Sequence, residues 1–225
     1  MDTFDLYKDI QCRTNGEIYL GVVGPVRSGK STFIKRFMDV LVLPKMTDEH
    51  AKERTVDELP QSASGKSIMT TEPKFVPKEA AEIQLAKDVS VLVRLIDCVG
   101  YMVEGAAGHM ENGAERLVKT PWNEKEIPFT KAAEIGTKKV IHDHSTIGIV
   151  VTTDGSIGEL PRNSYRAAEK KTIQELKSIG KPFVVLVNTR KPYSAEAKNV
   201  AEEIQKEYQV TALPVNCEQL REEDI

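Results

Sequence analysis

The chain has 225 residues, with 31 Lys and Arg against 34 Asp and Glu and a formal net charge of −3. This length suffices for one α/β domain with a sizeable core, and the slightly acidic balance gives no indication of nucleic-acid binding. The three cysteines, Cys12, Cys98 and Cys217, are scattered and odd in number. They match neither a disulfide framework nor a zinc pattern, and so favour a reducing, cytoplasmic compartment. We find no signal peptide and no apolar run long enough for a transmembrane segment.

The first predicted elements surround a glycine-rich loop. A buried strand is predicted over Glu17–Val23, which is a short apolar run, and a helix over 29–43, where apolar residues recur at helical spacing. The polar stretch 47–65 is predicted to contain a short helix. Residues 82–85 and 89–97 are predicted to form a hairpin, which would add one antiparallel strand.

The second half of the chain alternates between strands and helices. The predicted order is a strand over 146–153, a helix over 163–179, a strand over 183–187, a helix over 195–208 and a strand over 213–215. Such alternation is typical of a three-layer α/β fold, in which a mostly parallel sheet carries helices on both faces. We therefore predict a single domain over 1–225, with 1–16 as an N-terminal extension.

Residues 24–31 read Gly-Pro-Val-Arg-Ser-Gly-Lys-Ser, a complete G-x-x-x-x-G-K-[ST] phosphate loop. Gly24 and Gly29 allow backbone N–H groups to turn toward a polyphosphate. Lys30 is predicted to reach the β- and γ-phosphates, and the Ser31 hydroxyl is predicted to bind Mg²⁺. The helix that follows points its N-terminus at the anion. The strand–loop–helix context makes a chance glycine-rich turn a poor alternative.

Two further segments complete a site of the GTPase-like branch of phosphate-loop proteins. The strand over 89–97 ends in Asp97, which is predicted to hold Mg²⁺ through its waters, and the N–H of Gly100 is predicted to sense the γ-phosphate. Between these motifs and the phosphate loop, Thr70 or Thr71 is predicted to contact both Mg²⁺ and the γ-phosphate. The alternative is a pair of solvated loop threonines.

The segment that reads the base departs from the GTPase pattern. GTPases end this strand in Asn-Lys-x-Asp, whose Asp accepts two hydrogen bonds from guanine. Here Asn188 is kept, but Lys191 stands where the Asp belongs. A cation cannot accept those protons, and donors left unpaired carry a large specificity penalty. The sequence therefore argues against GTP and favours ATP.

Four segments resemble the stage IV sporulation protein A family of endospore-forming bacteria: residues 5–10 (DLYKDI), 16–27 (GEIYLGVVGPVR), 30–37 (KSTFIKRF) and 70–77 (TTEPKFVP). The resemblance implies an ATPase derived from the translation-factor class of GTPases. It implies that ATP drives self-assembly into a static polymer, the basement layer of the spore coat, in the mother-cell cytoplasm at the forespore surface. Recruitment by a small amphipathic protein and contacts with other coat proteins are also implied. Family members continue into middle and C-terminal domains, so polymer formation is expected to need parts outside this chain.

The combined hypothesis is Mg²⁺-dependent hydrolysis of ATP to ADP and phosphate. A nucleotide-binding switch or structural scaffold with little or no turnover stays open as the alternative, because Tyr101 stands where GTPases carry a catalytic Gln. Arg27 is predicted to place its charge near the β/γ bridge, like an arginine finger supplied in cis. The alternatives for Arg27 are exposure to solvent or a contact with a neighbouring subunit.

The predicted site residues fall into three overlapping groups. Those predicted for catalysis are Lys30, Asp97, Thr70, Thr71 and Arg27. Those predicted for the metal are Ser31, Thr70, Thr71 and Asp97. Those predicted to contact the nucleotide are Gly24, Arg27, Ser28, Gly29, Lys30, Ser31, Thr32, Gly100, Asn188 and Arg190. Outside this site, Cys98 is expected to be a core thiol, and His142 and His144 are not expected to bind a metal, because no further ligand lies nearby.

Overall fold

The computed structural model describes residues 16–60, 71–86, 89–106, 108–111 and 113–224. The strands are β1 (Glu17–Val23), β2 (Lys74–Ala86), β3 (Val89–Asp97), β4 (Met110–Glu111), β5 (Ala114–Glu115), β6 (Leu117–Thr120), β7 (Asn123–Pro128), β8 (Ile147–Thr153), β9 (Phe183–Asn188) and β10 (Ala212–Val215). The α-helices are α1 (Lys30–Phe37), α2 (Glu49–Glu58), α3 (Phe129–Lys139), α4 (Arg162–Ser178) and α5 (Ala195–Tyr208). A π-helical turn extends α1 over Met38–Val42 and another extends α3 over Val140–His144.

Six strands form one twisted sheet in the order β10-β9-β8-β1-β3-β2. All neighbours in this sheet are parallel except β2, which runs antiparallel to β3 at one edge. The predicted α/β class, mostly parallel with one antiparallel strand, is therefore confirmed. Because the carboxyl ends of parallel strands share one edge, the loops after β1, β3, β8 and β9 meet there.

Two hydrophobic clusters cover the two faces of the sheet. Neighbouring strand residues divide between the two clusters. Val22 and Leu95 pack toward α1, whereas Val23 and Ile96 pack toward α4, α5 and the turn that extends α3. This division follows from the two-residue period of a strand, which points successive side chains to opposite faces. The helices thus form the outer two of the three predicted layers.

Several boundaries differ from those predicted. The helix predicted over 29–43 keeps α-helical geometry only to Phe37 and changes to a π-helical turn, and Pro44 then removes a backbone donor. Strand β2 begins at Lys74, whereas the predicted strand began near residue 82. Polar residues along this edge strand obscure the alternation of apolar and polar residues on which the prediction depends. Helix α3 and the two small hairpins, β4–β5 and β6–β7, were not predicted.

None of the helices in the described ranges is both long and apolar enough to cross a lipid bilayer.

Candidate nucleotide site

The phosphate loop leaves β1 at the centre of the sheet and ends where α1 begins. Gly24 and Gly29 both have left-handed backbones, with φ of 130° and 97°. A Cβ at Gly24 would collide with the Val151 carbonyl oxygen, and one at Gly29 with the side-chain amide of Asn188. Both positions therefore require glycine, and the backbone of the loop is packed closely against β8 and β9.

Lys30 is the first residue of α1 and is almost completely buried. Its Nζ donates a hydrogen bond to the Pro25 carbonyl oxygen at 2.6 Å, so the ammonium group lies inside the curve of the loop. Burial lowers the pKa of Lys30, and the nearby Cys98 and Asp97 oppose that shift. A buried cation whose partner is a neutral carbonyl is suited to accept an anionic partner such as a phosphate oxygen.

Ser31 and Asp97 meet across the sheet. The Ser31 hydroxyl donates to Asp97 Oδ2 at 2.8 Å, which joins the start of α1 to the end of β3. The other oxygen, Asp97 Oδ1, is buried and has no hydrogen-bond partner in the described part of the chain. Burial raises the pKa of Asp97, while the Ser31 hydrogen bond and the Lys30 charge oppose the rise. Oxygen donors of this kind, with one carboxylate oxygen unsatisfied, fit a hydrated Mg²⁺.

The segment after Asp97 lies directly against the phosphate loop. The Tyr101 N–H donates to the Gly24 carbonyl at 3.2 Å, and the Tyr101 carbonyl accepts from the Val26 N–H at 2.8 Å. The Tyr101 hydroxyl donates to Glu175 Oε2 on α4. Burial is the main cause of a raised pKa of Tyr101, and the hydrogen bond to Glu175 raises it further. The residue in the place of the catalytic Gln therefore has its hydroxyl engaged by a helix, and sequence reasoning did not find Glu175.

Asn188, at the end of β9, uses both ends of its side-chain amide within the protein. Nδ2 donates to the Ser28 carbonyl at 3.0 Å, and Oδ1 accepts from the Cys217 N–H at 3.1 Å. Asn188 thus ties the phosphate loop to the segment after β10. The Ser28 hydroxyl is buried, with no partner in the described ranges.

The loops that follow β8 and β9 are joined beside the phosphate loop. The Thr189 hydroxyl donates to Asp154 Oδ2 at 2.6 Å, and the Arg190 N–H donates to the Ser156 hydroxyl at 3.0 Å. The side chains of Arg190 and Lys191 are exposed at this edge of the sheet. Sequence reasoning missed Asp154 and Ser156, whose only signal is that they follow a parallel strand at its carboxyl end.

Three further predicted site residues are Thr70, Thr71 and Thr32. Thr70 lies outside the described residues, whereas Thr71 is buried three residues before Lys74, which pairs with Asp97. The backbone carbonyl of Thr71 approaches Gly136 of α3 so closely that a Cβ there would lie 2.6 Å away. Thr32 is half-buried in the first turn of α1.

Arg27 has a φ of 60°, an uncommon backbone for a residue with a side chain, and is the exposed residue of the phosphate loop. Its positive charge opposes the rise in pKa that burial causes at Tyr165 of α4. Arg27 is therefore exposed on the phosphate loop and close enough to Tyr165 for its charge to act there.

Cys98 is a core thiol, and the two histidines of the pair contact other side chains. The Cys98 thiol is buried and donates to the Val22 carbonyl at 3.5 Å, and burial raises its pKa to about 11. His142 Nε2 lies 3.1 Å from Glu175 Oε1, and the His144 ring packs edge-on against Phe75. Within the described residues, no cluster of three metal-ligating side chains occurs.

The sheet order, the buried lysine in the phosphate loop and the Ser31–Asp97 pair define a phosphate-loop nucleotide-binding domain of the GTPase-like branch. The family model described as "Stage IV sporulation protein A, ATPase domain" matches residues 1–225. The chain belongs to this family, which confirms the predicted resemblance and the predicted class, an ATPase domain of sporulation proteins.

Curated relatives agree with this assignment. The chain is 57% identical over 221 residues to stage IV sporulation protein A of Clostridioides difficile (strain 630), covering 98% of this chain. It is 51% identical over 225 residues to the proteins of the same name from Bacillus anthracis and Bacillus subtilis (strain 168). The chain spans 45% of the first relative and 46% of the other two, about half the length of each.

Among solved structures, a crystal structure of an SsGBP mutation variant has a TM-score of 0.47 and 13% identity. The similarity covers 92% of this chain and 52% of that one. The fold class rests on the strand order described above.

Proposed function

We propose that the chain binds ATP with Mg²⁺ at the carboxyl edge of its sheet and hydrolyses it to ADP and phosphate. The observation that carries this proposal is the Ser31–Asp97 pair beside the buried Lys30, with Asp97 Oδ1 left without a partner in the described part of the chain. A phosphate-release assay with ATP and with GTP tests it. Release from ATP supports the proposal, and absence of release from both nucleotides would refute it.

Each residue has a defined task in this proposal. Lys30 exchanges the Pro25 carbonyl for oxygens of the β- and γ-phosphates, and Ser31 and Asp97 hold the metal. Mg²⁺ held by these residues would neutralise negative charge on the phosphates. Thr70 or Thr71 provides a further hydroxyl on the metal side. The remaining proposed nucleotide contacts are Gly24, Arg27, Ser28, Gly29, Thr32, Gly100, Asn188 and Arg190.

One observation favours the alternative function, a nucleotide-binding switch or scaffold with little or no turnover. The Tyr101 hydroxyl is engaged by Glu175, so this side chain does not take the water-orienting role of a Gln. Measurable release of phosphate by the unassembled chain would separate hydrolysis from this alternative.

For the whole protein, we propose that ATP hydrolysis drives self-assembly into a spore coat layer at the forespore surface, in the mother-cell cytoplasm. The proposal rests on membership in the family. Recruitment by a small amphipathic membrane protein and binding to other coat proteins are part of it. We assign these steps to middle and C-terminal domains, because this chain matches about half of each relative.

We expect the chain to bind ATP about 10- to 100-fold more tightly than GTP, because the guanine donors that meet Lys191 would stay unpaired. Isothermal titration with both nucleotides measures this ratio. Lys191 is exposed, so Lys191→Asp is expected to fold normally and to strengthen GTP binding by restoring the acceptor. Lys198→Asp, at an exposed position on α5, makes the same charge change away from the site. GTP binding at least as tight as ATP binding would contradict the base assignment.

Asp97→Asn is expected to lower turnover by about 10- to 100-fold, the usual cost of removing a group that orients a metal through its ligands. The same variant is expected to raise the melting temperature of the nucleotide-free chain at neutral pH. Asp57→Asn, on the exposed side of α2, is the matched control and should change neither quantity.

The sign of that stability effect follows from the pKa. Burial raises the pKa of Asp97 above its ordinary value near 3.8, so the folded chain binds this proton more tightly than the unfolded chain. The contribution of Asp97 to the free energy of unfolding is therefore largest below pH 3.8 and falls as the pH rises through the raised pKa. Thermal melts of the unaltered chain and of Asp97→Asn, from below pH 3.8 to neutral pH, check the sign. A lower melting temperature of Asp97→Asn at neutral pH would contradict it.

A further inference from the structure

Tyr101 connects the phosphate loop to helix α4. Its backbone makes two hydrogen bonds with the loop, to the Gly24 carbonyl at 3.2 Å and from the Val26 N–H at 2.8 Å. Gly100, just before it, has a φ of 93°, and a Cβ there would lie 2.7 Å from Lys30 Nζ. The backbone of Gly100 thus borders the ammonium group that is proposed to meet the γ-phosphate, and its position depends on where Tyr101 is held.

The side chain of Tyr101 is held by helix α4. Its hydroxyl donates to Glu175 Oε2, and the Lys171 ammonium lies 4.6 Å from the centre of its ring. The second oxygen of the same carboxylate, Glu175 Oε1, lies 3.1 Å from His142 Nε2, on the turn that extends α3. Tyr101 is therefore fixed from two sides, by a carboxylate at its hydroxyl and by a cation over its ring.

This hydrogen bond is well suited to hold a backbone segment in place. The Glu175 side chain is 15% exposed and Tyr101 is 3% exposed, so water competes little for either group. Hydrogen bonds to a carboxylate are stronger than those between neutral groups. Burial and the bond itself raise the pKa of Tyr101, so the phenol keeps the proton that it donates.

We propose that Glu175 is a positioning residue for ATP hydrolysis: through the Tyr101 hydroxyl, it holds the backbone of Gly100 at the γ-phosphate side of the site. In switch GTPases the corresponding segments are ordered by the γ-phosphate and its metal. In this chain a carboxylate of the protein itself takes over part of that ordering. The inference rests on the proposed function, and it predicts an effect that depends on the γ-phosphate, which ATP has and ADP lacks.

The test uses Tyr101→Phe, Glu175→Ala and the double variant in the 225-residue chain. We expect each single variant to lower kcat about tenfold, which corresponds to the loss of one hydrogen bond to a charged group. The ratio of affinities for AMP-PNP, a triphosphate that resists hydrolysis, and ADP should fall by about the same factor, with ADP affinity itself unchanged. The double variant should be no worse than the singles, because both remove one bond.

Two matched variants separate positioning from general structural damage. Glu175→Gln keeps an acceptor oxygen for the Tyr101 hydroxyl and should restore most of the activity. Tyr208→Phe removes the hydroxyl of another buried tyrosine, on α5, and should change neither the affinity ratio nor kcat.

Three results would overturn the inference: single variants with unchanged kcat and affinity ratio, effects that multiply in the double variant, or equal losses of AMP-PNP and ADP affinity. If Glu175→Ala does not fold, Tyr101→Phe and Glu175→Gln decide the question. If the unaltered chain releases no phosphate, the proposed function fails, and the AMP-PNP to ADP ratio still tests whether Glu175 positions the site.

Discussion

Lys30→Ala is expected to weaken ATP binding by roughly 10²–10⁴-fold, because each charge-assisted hydrogen bond to the phosphates contributes about 1.5–3 kcal/mol. The structure places the Lys30 ammonium inside the phosphate loop, where its partner is the Pro25 carbonyl and burial lowers its pKa. A phosphate oxygen would replace a neutral partner with an anionic one, which is the source of the expected gain in affinity.

Isothermal titration with ATP measures this loss. Lys35→Ala removes an exposed lysine from the same helix and is the matched control, which should bind ATP like the unaltered chain. An alanine variant at position 30 that binds ATP with unchanged affinity would exclude the phosphate loop as the nucleotide site.

Arg27→Ala is expected to slow ATP turnover by about 10³-fold in dilute, unassembled protein, the lower end of the effect of an arginine finger. Arg27 is exposed at the rim of the phosphate loop, and its φ of 60° turns the backbone there into the left-handed region. A permanently charged guanidinium at this point can stabilise charge that develops on the β/γ bridge, and so offset the missing Gln.

If Arg27 supplies the positive charge in cis, turnover should also be indifferent to replacing potassium with sodium. Arg166→Ala, at an exposed position on α4 where Arg166 pairs with Glu207, is the matched control. If Arg27→Ala is slow only after assembly, Arg27 acts on a neighbouring subunit, and the proposal of a finger in cis fails.

Much of the fold could be predicted because its signals are local. The Glu17–Val23 strand and the Ala195–Tyr208 helix have the predicted bounds. In each of them the pattern of apolar residues that predicts the element lies within the segment itself. Helix α3 could not be predicted in this way. It contains Gly136, a poor helix former, and the reason for glycine is the Thr71 carbonyl, which leaves no room for a Cβ.

The residues at the centre of the candidate site also fall into two groups, those that the sequence predicts and those that only the structure shows. The sequence by itself singled out the phosphate-loop motif, Lys30, Ser31 and Asp97 as candidates, because the motif and a strand that ends in a carboxylate are properties of adjacent residues. The sequence predicted that Ser31 and Asp97 both serve the metal, and the structure adds the direct hydrogen bond between them.

Only the tertiary structure decided what holds this centre in place. Tyr101 and Glu175 are 74 positions apart, and Asn188 is 160 positions from Ser28, whose carbonyl it binds. Such contacts exist because parallel strands bring their carboxyl ends to one edge and the helices pack across the sheet. No periodicity or motif within a short segment carries that information, since the partners become neighbours only when the chain folds.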